Sequence, residues 1–159
     1  MTRVGIGYDS HRFASGRPLV LGGVTIPHSQ GLTGHSDADA VAHALADAML
    51  GALGLGDIGR LFPDGDPAHK DADSMLLLAE VARRVRASGW ALQQADITVV
   101  AEVPKLAPHA AAMQTRLAHV LSAEGSAVSI KAKTNEGMGF IGRGEGIAVF
   151  AVATLVPAR

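Results

Sequence analysis

The segment Ile147–Val156 reads IAVFAVATLV, ten residues with β-branched and aliphatic side chains and no charge. Successive side chains of a strand leave on opposite faces, so a strand with one wet face alternates apolar with polar residues. This segment does not alternate and is expected to be covered on both sides. A chain of 159 residues fits one domain, 1–159. One domain of this size has too few helices to cover both faces of a sheet, so the second cover is expected from other subunits.

The rest of the chain supplies the sheet and its helices. Arg3–Tyr8 reads as a first strand, with Val4, Ile6 and Tyr8 alternating with small residues. Leu19–Leu21 and Val24–Ile26 flank Gly22-Gly23, a two-residue hairpin signal. Val41, Leu45, Ala48, Met49 and Ala52 recur at helical spacing and predict an amphipathic helix over about Asp37–Leu53, ended by Gly54 and Gly56. Leu55–Ala72 is rich in Gly, Pro and Asp and is expected to be an ordered or functional loop. Asp73 is an N-cap candidate for a helix through about Ala87, with Leu77, Val81 and Val85 on one face and Gly89 stopping it. Asp96–Glu102 is strand-like, Pro108 suits the first turn of a third helix striped by Met113, Leu117, Val120 and Leu121, and Val128–Lys133 is another strand. The expected fold is α/β, an α+β sandwich. Its mixed sheet carries helices on one face and buries the other in an oligomer.

Composition narrows the chemistry. The chain has no cysteine, which excludes disulfides, thiolate metal ligands and a thiol nucleophile, so any metal must be held by His, Asp or Glu. A formal net charge of -1 argues against a general nucleic-acid binder. With 48% hydrophobic residues disorder is not expected, and with 4% aromatics the core is aliphatic. No apolar run is long enough for a membrane span, and the N-terminus lacks the apolar core of a signal peptide. A cytoplasmic location is the expectation.

Asp9 and His11 stand at i and i+2 at the end of the first strand, where both side chains leave on one side. Alone, such a pair is more often a hydrogen-bonded Asp–His contact or two plain surface residues. In His35-Ser36-Asp37-Ala38-Asp39-Ala40-Val41-Ala42-His43, however, His35, Asp39 and His43 are spaced i, i+4, i+8 and would share one polar edge of a helix. If that edge meets the strand end, three N/O ligands and an open fourth position make a catalytic zinc site. Spacing leaves open whether Asp39 or His43 is the third ligand, and a solvated helix edge remains the alternative.

Three further segments carry chemistry. Leu61-Phe62-Pro63-Asp64-Gly65-Asp66-Pro67 is an acidic turn-forming loop that can bind a cation or a polyol, or simply form Asx turns. Pro104-Lys105-Leu106-Ala107-Pro108 sets a lysine between two prolines at a helix entry, where backbone amides can face an anion or a base edge. Lys131–Gly146, KAKTNEGMGFIGRGEG, combines cations, glutamates and five glycines near a strand end. Glycines allow close backbone approach, and Lys and Thr hold phosphate oxygens. It is not a P-loop, since G-x-x-x-x-G-K-[ST] is absent.

GYDSHRF, LGG, HSDADAVAHALADAMLGALGLGDIGRLFPD, ADITVVAEVPKLAPH and KTNEGMGFIGRGEGIA, in this order from Arg3 to about Val156, resemble the 2-C-methyl-D-erythritol 2,4-cyclodiphosphate synthase family. The resemblance implies a homotrimer with active sites between adjacent subunits. It implies zinc on Asp9, His11 and His43, with Asp39 in support, and Mg2+ or Mn2+ at the substrate diphosphate with Glu136. His35, Ser36 and Asp64 fall where the methylerythritol phosphate is held. Asp57 and Gly59 fall at the ribose, and Phe62 lies in the same stretch. Ala101 and Val103, Pro104, Lys105 and Leu106 fall at the cytosine. Lys133, Thr134, Asn135 and Glu136 fall beside the phosphates. His35, Thr134 and Glu136 are the residues expected to serve the reaction itself. Many family members carry threonine in place of Lys133 and lysine in place of Gly137.

The implied reaction is the conversion of 4-diphosphocytidyl-2-C-methyl-D-erythritol 2-phosphate to the 2,4-cyclodiphosphate with release of CMP, in non-mevalonate isoprenoid synthesis. The substrate's own phosphate is the nucleophile, so no serine or cysteine is required. Two alternatives share the same residues. One is a metal-dependent phosphohydrolase, in which water attacks. The other, motivated by Phe140, Arg143 and Glu145, is a non-enzymatic trimer that binds an isoprenoid diphosphate in a central cavity where Arg143 of each subunit gathers. His28, His69, His109 and His119 receive no role.

Overall fold

A computed structural model describes residues 1–159. The apolar segment singled out above lies inside the strand β7, Gly146–Pro157, in the middle of a five-stranded sheet. Its neighbours are β1 (Arg3–Ala14) and β5 (Trp90–Val100), both antiparallel to it. β4 (Gly31–Leu32) extends the β1 edge antiparallel, and β6 (Val128–Lys133) pairs parallel with β5. The sheet is therefore mixed, in the order β4-β1-β7-β5-β6. β2 (Leu19–Leu21) and β3 (Val24–Ile26) form a separate hairpin. Gly22 and Gly23 both take positive φ (58° and 72°), as a type I′ turn requires.

Three helices cover one face. α1 (Ala40–Ala52) lies on β1 and β7, and α2 (Ile58–Leu61) is a single turn beyond it. α3 (Ser74–Ala87) packs on α1 and on α4 (Ala110–Leu121), which reaches β6. A fifth short helix, α5 (Gly139–Gly142), precedes β7. The core runs from Phe13 to Leu155 and is aliphatic, as the composition requires. No helix is long and apolar enough to cross a membrane.

The closest packing is between α1 and β1. A Cβ placed on Gly5 would lie 2.0 Å from the Ala48 carbonyl oxygen, and one on Gly7 would lie 1.8 Å from that of Ala44. Helix backbone rests directly on strand backbone here.

Several boundaries differ from the sequence expectation. β1 runs to Ala14 rather than Tyr8, because its ladder with β7 continues through Asp9–Val149 and His11–Ile147 to Arg12–Gly146. β5 begins at Trp90, with a bulge between Leu92 and Gln94. The first helix starts at Ala40, not Asp37, since Asp39 is its N-cap in extended conformation. This removes the shared edge of His35, Asp39 and His43: His35 is in a loop, Asp39 is fully buried, and the polar positions of α1 are His43 and Asp47. In α3 Leu78 is buried and Leu77 only partly, and in α4 Ala118 is buried and Val120 only partly. A 3-10 turn, Ala107–His109, precedes α4.

β7 also alternates in burial although not in composition. Val149, Ala151, Ala153 and Leu155 face the helices, while Phe150 and Val152 face outward. Val4, Ile6 and Tyr8 of β1 share that outer face, with Tyr8 opposite Phe150 and Ile6 opposite Val152. Ile6 is 71% exposed in the single chain.

Candidate metal centre and flanking clefts

β1 delivers Asp9 and His11 from its middle, and α1 delivers His43 from its first turn. His11 Nε2 lies 2.7 Å and His43 Nδ1 3.1 Å from the same oxygen, Asp9 Oδ2. The candidate ligand atoms of Asp9, His11 and His43 all lie within 4.8 Å of one another. Of the two residues that spacing could not separate, His43 is in the cluster and Asp39 is not.

The hydrogen bonds behind the rings show what the cluster is built for. His11 Nδ1–H donates to the Thr33 carbonyl, 2.7 Å away, because a carbonyl can only accept. Neutral His11 then turns a lone pair, not a proton, toward the carboxylate. Two acceptors at this separation need a cation between them, either a proton or a metal ion. The titration tendencies agree. Burial pushes the Asp9 carboxyl up, but hydrogen bonding and charge from His11 and His43 outweigh it and hold it below the usual value. Burial pulls His11 down, but the Asp9 hydrogen bond and charge and the Thr33 carbonyl raise it overall. An N2O donor set with its remaining side open to a cleft suits a zinc-type divalent ion.

The cleft has a volume of about 220 Å³ and is lined by the three candidate ligands with His35, Ser36, Gly59, Phe62 and Asp64, together with His69 and Leu77. His69 is one of the histidines without an assigned role, and its ring meets Phe62 edge-on at 5.3 Å. His35 Nε2 lies 3.0 Å from the Asp66 carbonyl, to which it donates. Arg17, which the sequence reading did not single out, donates to the carbonyls of Gly34 (2.7 Å) and Ser36 (2.5 Å) and holds this segment from behind. Asp57 does not line the cleft; it caps α2 by accepting from the Arg60 N–H at 3.0 Å.

Asp39 serves the scaffold. Its carboxylate accepts from the N–H groups of Gly22 (2.9 Å), Gly23 (2.7 Å) and Ala42 (3.1 Å), tying the β2–β3 turn to the start of α1. Burial pushes its carboxyl up to about 6 against these donors. Its carboxylate touches none of the candidate ligands; it supports His43 through the helix start, where the Asp39 carbonyl accepts from the His43 backbone N–H at 3.0 Å.

A second cleft, of about 330 Å³, gathers Ala101, Pro104, Lys105 and Leu106 with Lys133 and Thr134. Val103 is exposed outside it. Glu102, missed in the sequence, links this cleft to the glycine-rich loop: Oε1 accepts from Asn135 N–H (2.9 Å) and Gly137 N–H (3.1 Å). Glu136 sits between those two held amides at φ 54°, its side chain exposed. Nothing local in the sequence marks this contact, which spans 33 residues to Asn135. We expect Glu102→Ala to speed amide exchange at Asn135 and Gly137 by about tenfold or more, since hydrogen bonds to charged groups contribute about 1.5–3 kcal/mol. Glu102→Gln, which keeps the acceptor, should restore most of the protection in a hydrogen-exchange measurement.

Phe140 lies in neither cleft. With Ser10, His11, Arg12, Glu145 and Gly146 it lines a hollow of about 200 Å³. Arg143 is paired with Glu145, its Nε donating to Oε2 at 2.8 Å.

Residues 2–156 match the YgbB family. The chain is 57% identical over 156 residues to the 2-C-methyl-D-erythritol 2,4-cyclodiphosphate synthase of Bordetella petrii, covering 98% of this chain and 96% of that protein. It is 58% identical over 154 residues to the synthase of the same name from Moorella thermoacetica, covering 97% and 94%. Among solved structures, the bifunctional IspDF of Campylobacter jejuni superposes with a TM-score of 0.94 at 47% identity, over 98% of this chain and 42% of that longer one. The Plasmodium falciparum IspF CDP complex superposes with a TM-score of 0.87 at 34% identity, over 99% and 97%.

Proposed function

The chain belongs to the YgbB family, and from that premise we infer that it performs the reaction its relatives are named for. That reaction is cyclisation of 4-diphosphocytidyl-2-C-methyl-D-erythritol 2-phosphate to the 2,4-cyclodiphosphate, with CMP released. The observation that carries the reading is the convergence of Asp9, His11 and His43 on the cleft that also holds His35, Ser36 and Asp64.

In this reading Asp9, His11 and His43 hold Zn2+, which when bound supplies Lewis-acid polarisation of a phosphate oxygen. The chain's own side chains do the rest by position and charge, as phosphoryl transfer demands. His35, Ser36 and Asp64 hold the methylerythritol phosphate end, with Phe62 and Gly59 walling the cleft toward the ribose. Asp57 caps α2 through Oδ1 and keeps Oδ2 for a ribose hydroxyl. Ala101 and Val103–Leu106 take the cytosine. Lys133, Thr134 and Asn135 neutralise the phosphates, and Glu136 offers a carboxylate to Mg2+ or Mn2+ at the diphosphate. Curling one flexible molecule so that its phosphates meet replaces a bimolecular encounter, an effect that reaches about 7–11 kcal/mol in favourable systems.

The base cleft and the metal cleft share no lining residue. That separation supports sites completed between adjacent subunits. The outward apolar row of Val4, Ile6, Tyr8, Phe150 and Val152 supports a homotrimer that covers it. Phe140 and Arg143 would then face a central cavity able to take an isoprenoid diphosphate. The reading places the enzyme in the cytoplasm.

Phosphorus NMR after incubation with the cytidylylated substrate should show a cyclic diphosphate together with CMP. The open-chain 2,4-bisphosphate, with two phosphomonoester signals and no diphosphate linkage, appearing with CMP would mean that water attacks and would overturn cyclisation. Glu136→Ala should weaken the dependence of turnover on magnesium; an unchanged magnesium titration would remove its role.

A further inference from the structure

We propose that Asp37, acting through Ser74, fixes the proton of His43 on Nε2, so that Nδ1 is the nitrogen offered to the cation and the affinity of the site is set from behind the ring. The proposal rests on the metal reading of Asp9, His11 and His43.

Ser74 is the first residue of α3 and is fully buried. Its hydroxyl touches two groups of opposite demand and lies 3.4 Å from a third, the Ser36 hydroxyl. On one side is Asp37 Oδ1, on the other His43 Nε2 at 2.8 Å. A carboxylate only accepts, so the Ser74 O–H donates to Asp37. The Ser74 oxygen is then left to accept, and its partner must be His43 Nε2–H. The remaining ring nitrogen, Nδ1, is a lone pair, and it is the one 3.1 Å from Asp9 Oδ2. The orientation thus follows from one carboxylate two hydrogen bonds removed from the ring it governs.

Asp37 is itself firmly held. Oδ2 accepts from the Ser74 backbone N–H at 3.1 Å, Oδ1 from that of Asp39 at 3.1 Å, and its own N–H donates to the Ala72 carbonyl at 3.1 Å. Ser36 lies beside the relay. Ser36 Oγ accepts from Ala38 N–H at 3.2 Å and lies 3.2 Å from His43 Nε2. With that nitrogen's proton directed to Ser74 and the Ser74 proton to Asp37, the Ser36 hydroxyl can donate to Ser74 Oγ, 3.4 Å away, or turn to an oxygen in the cleft. Ser36 faces no carboxylate, so if it replaced Ser74 it could donate to or accept from the ring equally, and the tautomer would no longer be specified.

Outer partners of ligating histidines change metal affinity by about 10–100-fold. The test is zinc affinity of the metal-free protein, measured by competition with a chromophoric chelator, for wild type, Ser74→Ala, Asp37→Asn and His43→Ala. Ring 15N shifts of His43 are recorded on the same metal-free samples with the ring neutral. Wild type should show the Nε2–H form. Ser74→Ala should bind zinc about 10–100-fold more weakly and show both tautomers. Asp37→Asn, which can turn its NH2 toward Ser74 and reverse the relay, should move in the same direction. Ser74→Ala and Asp37→Asn binding within about twofold of wild type, with His43→Ala not binding, would overturn the relay alone. His43→Ala binding as tightly as wild type would overturn the metal reading beneath it. An Nδ1–H ring in wild type would overturn the proposal without any variant having to fold.

Discussion

His43→Ala is expected to abolish zinc binding and to lower cyclisation by more than about 10²–10³-fold, the cost of losing one preorganised electrostatic contact, while the fold survives. The side chain leaves α1 from a turn whose neighbours Val41, Ala42 and Ala44 are buried and whose cap, Asp39, is untouched. What remains is Asp9 paired with His11 at 2.7 Å, a two-ligand remnant able to hold a proton but not a well-fixed metal ion. Asp9→Ala should be at least as severe, because the one oxygen shared by both histidines disappears. Zinc content by elemental analysis and turnover by phosphorus NMR check both variants, with circular dichroism to confirm the fold. Full turnover by metal-stripped His43→Ala protein would sink the assignment.

Gly7→Ala is expected to destabilise the chain by about 3 kcal/mol or more, beyond the usual cost of adding a methyl group to a packed core. The added Cβ would sit 1.8 Å from the Ala44 carbonyl oxygen and 2.9 Å from the Ala48 nitrogen. Both are backbone atoms of a helix, so no rotamer change relieves the contact and α1 must move as a whole. Gly5→Ala meets the same obstacle at Ala48 and Ala52. Gly65→Ala is the control: its Cβ meets nothing within 4 Å and its φ is not positive, so stability should change little. Urea unfolding of the three variants measures the difference, and a Gly7→Ala protein as stable as the Gly65→Ala control would refute the packing argument.

Features determined by neighbours in the chain were legible in the sequence. The Gly22-Gly23 turn, the Asp73 cap and the span of β6 need only local turn and capping chemistry, and each is found where expected. Asp9, His11 and His43 were within reach because two are adjacent on a strand and the third sits in a segment dense with His and Asp. Features determined by distant partners were not legible. Asp39 looked like a helix-edge ligand because its three real donors, two of them in the β2–β3 turn, are invisible to spacing. Ser74 drew no notice beside the Asp73 cap, although its hydroxyl bridges Asp37 and His43 from 37 and 31 residues away. Glu102 lay beside the expected base pocket, but its grip on Asn135 and Gly137 depends on β5 and β6 running side by side. The unbroken apolar run of β7 was read as two covered faces. In the chain itself only one is covered, and the other is an exposed apolar surface.

The seating of α1 on Gly5 and Gly7 has a consequence for precision. Side chains packed between a helix and a sheet act as compliant spacers, because each can change rotamer and let the gap breathe. Here the spacer is absent, and the gap is set by carbonyl oxygens against bare Cα atoms. Asp9 follows Gly7 by two residues, and His43 precedes Ala44 by one. The strand-borne and helix-borne halves of the cluster are thus mounted on a hard mechanical stop a few ångströms away. The distance between them has little freedom to drift, and the chain obtains a rigid gauge for its ligand spacing by omitting two side chains.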